Sequence, residues 1–265
     1  MRVLRFLFLA ALLCGLSWFQ FLQPLTAKAL LGRAGDLFDR RPARTVLILG
    51  NSRTYFHDMP EIIRAMADSA HDPRKLEITL DAPGGAGFEI LWNDAHTHDL
   101  LQQRWDEVIL QAESRAQLRA DLERSFQTYG AKLIGAVHTS GSRPRLVVNW
   151  AYGPNFWDDG DPQGRGRAYL QARMQSSTAA LGERVGAHLI DVGRLWSSVE
   201  LSHPDIRLTQ DGNHPSLAGS YLFALALYGD LSGRDVSVVT YVPAGLDPAV
   251  ATKLRQAARD FQLFL

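Results

Sequence analysis

The sequence predicts an α/β fold in three layers, with a parallel sheet of about five strands between two sets of helices. Three observations carry that expectation. Short, wholly apolar runs recur, as in Thr45–Leu49 and Val108–Leu110, and such runs read as strands buried on both faces of a parallel sheet. Segments long enough for a helix separate one run from the next, which predicts a parallel sheet with helices on both faces. The first run ends in Gly50-Asn51-Ser52, a sharp turn at the carboxyl end of a strand, where open α/β sheets place their chemistry.

Taken in order, strand one is Thr45–Leu49. Pro60 opens a helix through Ala67, with proline in the first turn and apolar residues at helical spacing. Leu76–Leu80 alternates and reads as a more exposed strand. The loop Pro83-Gly84-Gly85-Ala86-Gly87 follows, then a mixed segment through His98. Val108–Leu110 is the next buried strand, and Gln111-Ala112-Glu113-Ser114 leads from it toward a long helix over Ala116–Val137. Arg145–Trp150 is a fourth strand, a polar loop runs from Tyr152 to Gly166, and a helix covers Ala168–Val185. Ala187–Asp191 is the fifth strand. Ser216–Tyr228 is an apolar helix, and Asp247–Phe264 is an amphipathic one.

The amino terminus stands apart. Arg2 and Arg5 precede an apolar run from Phe6 to Leu22, and Ala27-Lys28-Ala29 has the small-x-small form of a cleavage site. This is the layout of a secretory signal peptide over residues 1–29, implying a periplasmic or secreted protein. The alternative is an uncleaved anchor, residues 6–22 just reaching the lower limit for crossing a bilayer. Residues 30–265 then form a single domain. The only cysteine, Cys14, lies in the apolar run, so the mature chain has no thiols and is held by its core alone. The 28 basic and 28 acidic residues balance; loss of Arg2, Arg5 and Lys28 with the leader leaves 25 against 28, a net −3. That balance gives no basic footprint for nucleic acid, and contact with a membrane is expected only through an uncleaved leader.

The chemistry is expected from two distant segments. A serine hydroxyl is a poor nucleophile until a base takes its proton, and the base needs a third group to fix its tautomer. Asp211-Gly212-Asn213-His214-Pro215 puts a carboxylate three residues before an imidazole in a tight turn, so that Asp211 can reach one ring nitrogen and leave the other for Ser52. The structural alternative is that Ser52 merely caps a helix.

These residues resemble the SGNH, or GDSL-like, serine hydrolases over roughly residues 45–230. Gly50-Asn51-Ser52 matches the family's first block, and Asp211-x-x-His214 its last, with Pro215, Ser216, Gly219, Tyr221 and Leu222 continuing the match. Pro83-Gly84-Gly85-Ala86 resembles the second block in the sialate O-acetylesterase and acetyl xylan esterase branches, whose glycine N–H helps form the oxyanion hole. Gln111-Ala112-Glu113-Ser114 resembles the Gln-Gly-Glu-Ser variant of the third block in the same branches. The resemblance implies a flavodoxin-like SGNH fold and a Ser52–His214–Asp211 triad. It also implies an oxyanion hole from the N–H groups of Ser52 and Gly84 (Gly85 as the alternative) and the Gln111 amide. The substrates it implies are small acyl esters, such as an acetylated glycan, with no metal or organic cofactor. An O-acyltransferase using the same triad and a non-catalytic glycan-binding module are the rival functions.

Other patterns are weaker. The Gly-x-Ser-x-Gly elbow of α/β-hydrolases is absent, and no third glycine completes a dinucleotide fingerprint. His96-x-His98 beside Asp94 and Asp99 would suit zinc on a strand but lacks a further ligand at a diagnostic spacing, which favours a polar surface loop. His57 lies close to the nucleophile as either a substrate contact or a loop residue. Tyr152, Asn155, Phe156, Trp157, Asp158 and Asp159 suit either sugar stacking or the packing of their own loop. Asp191, far from His214 in sequence, is expected to be structural.

Overall fold

The computed structural model describes residues 39–153 and 166–262. One compact unit begins at Pro42. The leader, its cleavage site and the loop residues Asn155–Asp159 lie outside the described residues.

The sheet has five strands, β1 (Ala43–Leu49), β2 (Lys75–Asp81), β3 (Glu107–Gln111), β4 (Arg143–Val147) and β5 (His188–Ile190), in the order β2-β1-β3-β4-β5. Every pairing is parallel. The order reverses beside β1, the switch point at which such sheets open a crevice beyond their carboxyl ends. Gly50 stands at that point.

Alternation within the strands divides the core in two. Val46 and Ile48 join Ile109 and Val147 in one apolar cluster, whereas Leu47 and Leu49 join Val108, Leu110 and Leu146 in the other. This is the two-residue period of a strand expressed as two faces. Helices α2 (Met59–Ser69), α7 (Val192–Ser202), α8 (Leu217–Ser232) and α9 (Pro248–Gln262) supply the first cluster. Helices α3 (Phe88–Asn93), α4 (Ala95–Leu101) and α5 (Ala120–Thr139) supply the second, joined by Leu181 of α6 (Gly166–Val185). A four-residue helix, α1 (Ser52–Tyr55), follows Gly50-Asn51 directly. Helix α8 is apolar all round and buried along almost its whole length, which is why its sequence shows no polar face.

Four expectations need correction. The mixed segment through His98 folds as α3 and α4, so His96 and His98 stand on a helix rather than a strand. Asp94 caps that helix, accepting the Thr97 N–H at 2.9 Å, and among the described residues no group of three or more His, Cys, Asp or Glu could hold a metal. Helix α5 starts at Ala120, because residues 114–119 make turns closed by Ala116 N–H to Glu113 O and Leu118 N–H to Arg115 O. The fourth strand is displaced to Arg143–Val147, and beyond it Val148 alone still reaches its neighbour, donating to Ile190 O. Helix α7 was not foreseen; Asp191 starts it by accepting the Arg194 N–H at 3.0 Å.

Candidate active site

The turn after β1 is built to present a serine. Asn51 has extended backbone and caps α1 by accepting the Arg53 N–H. Its side-chain amide donates to the carbonyls of Ala86 (3.0 Å) and Ala112 (3.3 Å), tying the turn to the loops after β2 and β3. Gly50 admits no side chain: a Cβ there would lie 2.5 Å from Thr54 Oγ1 and 3.1 Å from Gln111 Oε1. Ser52 is thereby left at the start of a helix with its N–H donating to no group among the described residues.

The second turn comes from the other end of the chain. Thr209 bridges Pro215 in antiparallel fashion, and the Gln210 N–H reaches His214 O at 3.0 Å. Gly212 has φ 92°, a conformation that favours glycine. Asp211 Oδ1 accepts the backbone N–H groups of Asn213 (2.9 Å) and His214 (2.7 Å), and Oδ2 lies 2.6 Å from His214 Nδ1. Burial would push the Asp211 carboxyl up, but the His214 ring and those two N–H groups outweigh it and hold it below the usual carboxylate range. His214 Nε2 lies 3.0 Å from Ser52 Oγ. The Phe56 ring stacks on the imidazole, with centroids 4.7 Å apart and planes 12° from parallel. The three residues expected of a triad are therefore in one hydrogen-bonded line.

The remaining expected residues are placed less evenly. Gly84 faces Tyr55, whose hydroxyl would be 3.5 Å from a Cβ there, so it sits beside the nucleophile turn. Gly85 has φ 71° and would point a side chain into open space. Neither N–H donates to a described residue. Gln111 faces inward. It is fully buried, and its amide N–H groups go to Ala112 O and, at 3.1 Å, to Asn149 Oδ1. The Ala112 carbonyl also accepts from Asn149 Nδ2 at 2.9 Å and from Asn51. Gln111 belongs to a buried amide network under the nucleophile turn, and its Oε1 has no partner among the described residues. Asp191 touches α7 and Gln175. His57 places Nδ1 2.9 Å from Ser220 Oγ, and its backbone (φ 57°) and that of Asp58 (φ 52°) are both left-handed. That strain is kept where the chain turns Phe56 onto the imidazole.

Sequence reasoning missed Arg53 and Phe56, and quoted Glu113 only as part of a block. Arg53 is wholly buried, and a charged residue beside a nucleophile gives no sign of facing inward. The Glu113 carboxyl lies against Gly87, and burial pushes it up.

A parallel five-stranded α/β sandwich with serine, histidine and aspartate gathered at the carboxyl ends of its strands has the architecture of the SGNH/GDSL-like hydrolases. Solved structures agree. The chain is similar to an SGNH hydrolase from Slackia heliotrinireducens, 28% identical over 71% of this chain and 99% of that one, with a TM-score of 0.60. A DUF4886 family protein from Bacteroides uniformis matches with TM-score 0.68 at 17% identity, covering 84% and 95% of the two chains. An acetylxylan esterase from Geobacillus stearothermophilus matches with TM-score 0.58 at 15% identity over 75% and 98%. No family model and no curated protein matches the sequence. The first of these supports an SGNH hydrolase, and the other two show the shared fold alone.

Proposed function

We propose that the chain is an exported serine esterase that hydrolyses small acyl esters, acetyl esters of carbohydrate foremost. The observation that carries this reading is the unbroken line from Ser52 Oγ through both nitrogens of His214 to Asp211, at 3.0 and 2.6 Å. Ser52 Oγ attacks the ester carbonyl carbon while His214 Nε2 takes its proton. Asp211 keeps Nδ1 protonated and steadies the imidazolium. The N–H groups of Ser52 and Gly84 receive the oxyanion, with Gly85 as the alternative second donor. His214 then protonates the leaving alkoxide oxygen, and an acyl-serine remains. Water attacks the acyl carbon, giving its proton to His214, and the acid departs as Ser52 regains a proton.

Acetylated sugar is supported by the acetylxylan esterase among the structural neighbours and by Tyr55, which stands exposed beside Gly84 as a surface for a sugar ring. Export is supported by the basic, apolar and small-residue order of residues 1–29. The test is incubation with a serine-directed fluorophosphonate followed by mapping of the modified residue. Labelling at Ser52, abolished in Ser52→Ala, is expected. Labelling elsewhere, or none in folded protein, refutes the assignment.

A further inference from the structure

We propose that Arg53 is a positioning residue that locks the nucleophile turn to the histidine turn; this rests on the hydrolase reading above. Its guanidinium is fully buried beneath the site. Nε and Nη2 donate to Asn213 Oδ1 at 3.1 and 2.8 Å, and Nη1 donates to Trp150 O at 2.8 Å. The group lies over the Trp150 ring (4.3 Å to its centroid) and the Tyr152 ring (5.3 Å). Asn213 is held on its other sides too, its N–H by Asp211 Oδ1 and its carbonyl by the Trp150 indole N–H at 3.1 Å. Arg53 follows the nucleophile directly, and Asn213 directly precedes the base. One side chain thus bridges 160 positions of sequence and joins the two residues whose separation decides proton transfer.

As a fold-stabilising device this arrangement is poor. No carboxylate pairs with Arg53 among the described residues, and a buried cation without an ion partner is costly. Burial brings its pKa down to about 10. An apolar side chain of similar length would fill the space without that cost. What an apolar chain lacks is a planar fork that takes one oxygen of Asn213 with two N–H groups while a third N–H holds the Trp150 carbonyl, three residues beyond β4. Rigid placement is the property this fork supplies. Misplacement of a reacting group by about 1 Å costs on the order of 100-fold in rate.

The experiment compares wild type with Arg53→Met, Arg53→Lys, Asn213→Ala and the Arg53→Met/Asn213→Ala double variant. It reads the second-order rate of fluorophosphonate labelling at Ser52, kcat and KM for p-nitrophenyl acetate, and thermal unfolding. Arg53→Met is expected to unfold cooperatively while labelling and kcat fall about 100-fold and KM holds within about twofold. Arg53→Lys should recover part of that loss. Asn213→Ala should reproduce it, and the double variant should be no slower than either single variant, because both remove one link. A folded Arg53→Met that labels at the wild-type rate overturns the proposal, as does a double variant whose loss is the product of the single losses. If Arg53→Met does not fold, Asn213→Ala decides, and labelling at the wild-type rate there overturns it. Wild type that fails to label at Ser52 removes the hydrolase reading and this proposal together, whereas a labelled wild type with unchanged variants removes only the latter.

Discussion

Replacing Asp211 by asparagine tests the proton relay with little disturbance of the fold. Oδ1 of Asp211 takes two backbone N–H groups, and Oδ2 faces the ring Nδ1. Asparagine has one oxygen and one NH2. The two backbone donors require the oxygen in the Oδ1 place, so the NH2 falls opposite Nδ1. That nitrogen must then accept, the ring proton moves to Nε2, and Ser52 loses its base. An aspartate-to-asparagine change in such a triad lowers kcat by about 10,000-fold, or about 5 kcal/mol of barrier at roughly 1.4 kcal/mol per tenfold. The turn itself should persist, because both backbone bonds survive. The lost charge-assisted bond joins side chains that are 25% and 39% exposed, so stability should fall by only about 1 kcal/mol. The assay is kcat for p-nitrophenyl acetate beside a thermal melt followed by circular dichroism. A folded Asp211→Asn within tenfold of wild type would refute the tautomer argument.

Two other expectations can be checked on the same preparations. Gln111→Leu strands Asn149 Oδ1 in the core and should cost about 1–3 kcal/mol of stability, read by urea unfolding, with kcat of the folded protein within tenfold of wild type; a 100- to 1,000-fold loss without destabilisation would return Gln111 to the oxyanion hole. Glu107 is buried and bonded by Arg143 and Arg145; burial would raise its pKa, but those two guanidinium groups hold it below the usual carboxylate range. Its contribution is therefore present above the pKa of the unfolded carboxyl and lost as pH falls through the folded value, so Glu107→Gln should cost about 3 kcal/mol near neutrality and progressively less in acid. A wild-type advantage that grows on acidification would contradict the pairing.

The sequence alone determined what short-range chemistry enforces. Wholly apolar runs gave the buried strands two buried faces, and both clusters of the core follow from side chains pointing alternately to the two sides of the sheet. Asp211 and His214 were legible because three residues and a glycine turn bring them together with no help from the rest of the chain. Gly50-Asn51-Ser52 was legible for the same reason. Helices α3, α4 and α7 were not, since they are capped by Gly87, Asp94 and Asp191, residues that in sequence look like a loop, a metal ligand and a stray carboxylate. Only the tertiary structure decided what crosses long intervals. It set Ser52 3.0 Å from an imidazole 162 positions away, turned the Gln111 amide into a buried network, and folded Arg53 inward onto Asn213. Each of those outcomes depends on which groups the packed layers leave unpaired, and a linear pattern carries no record of that.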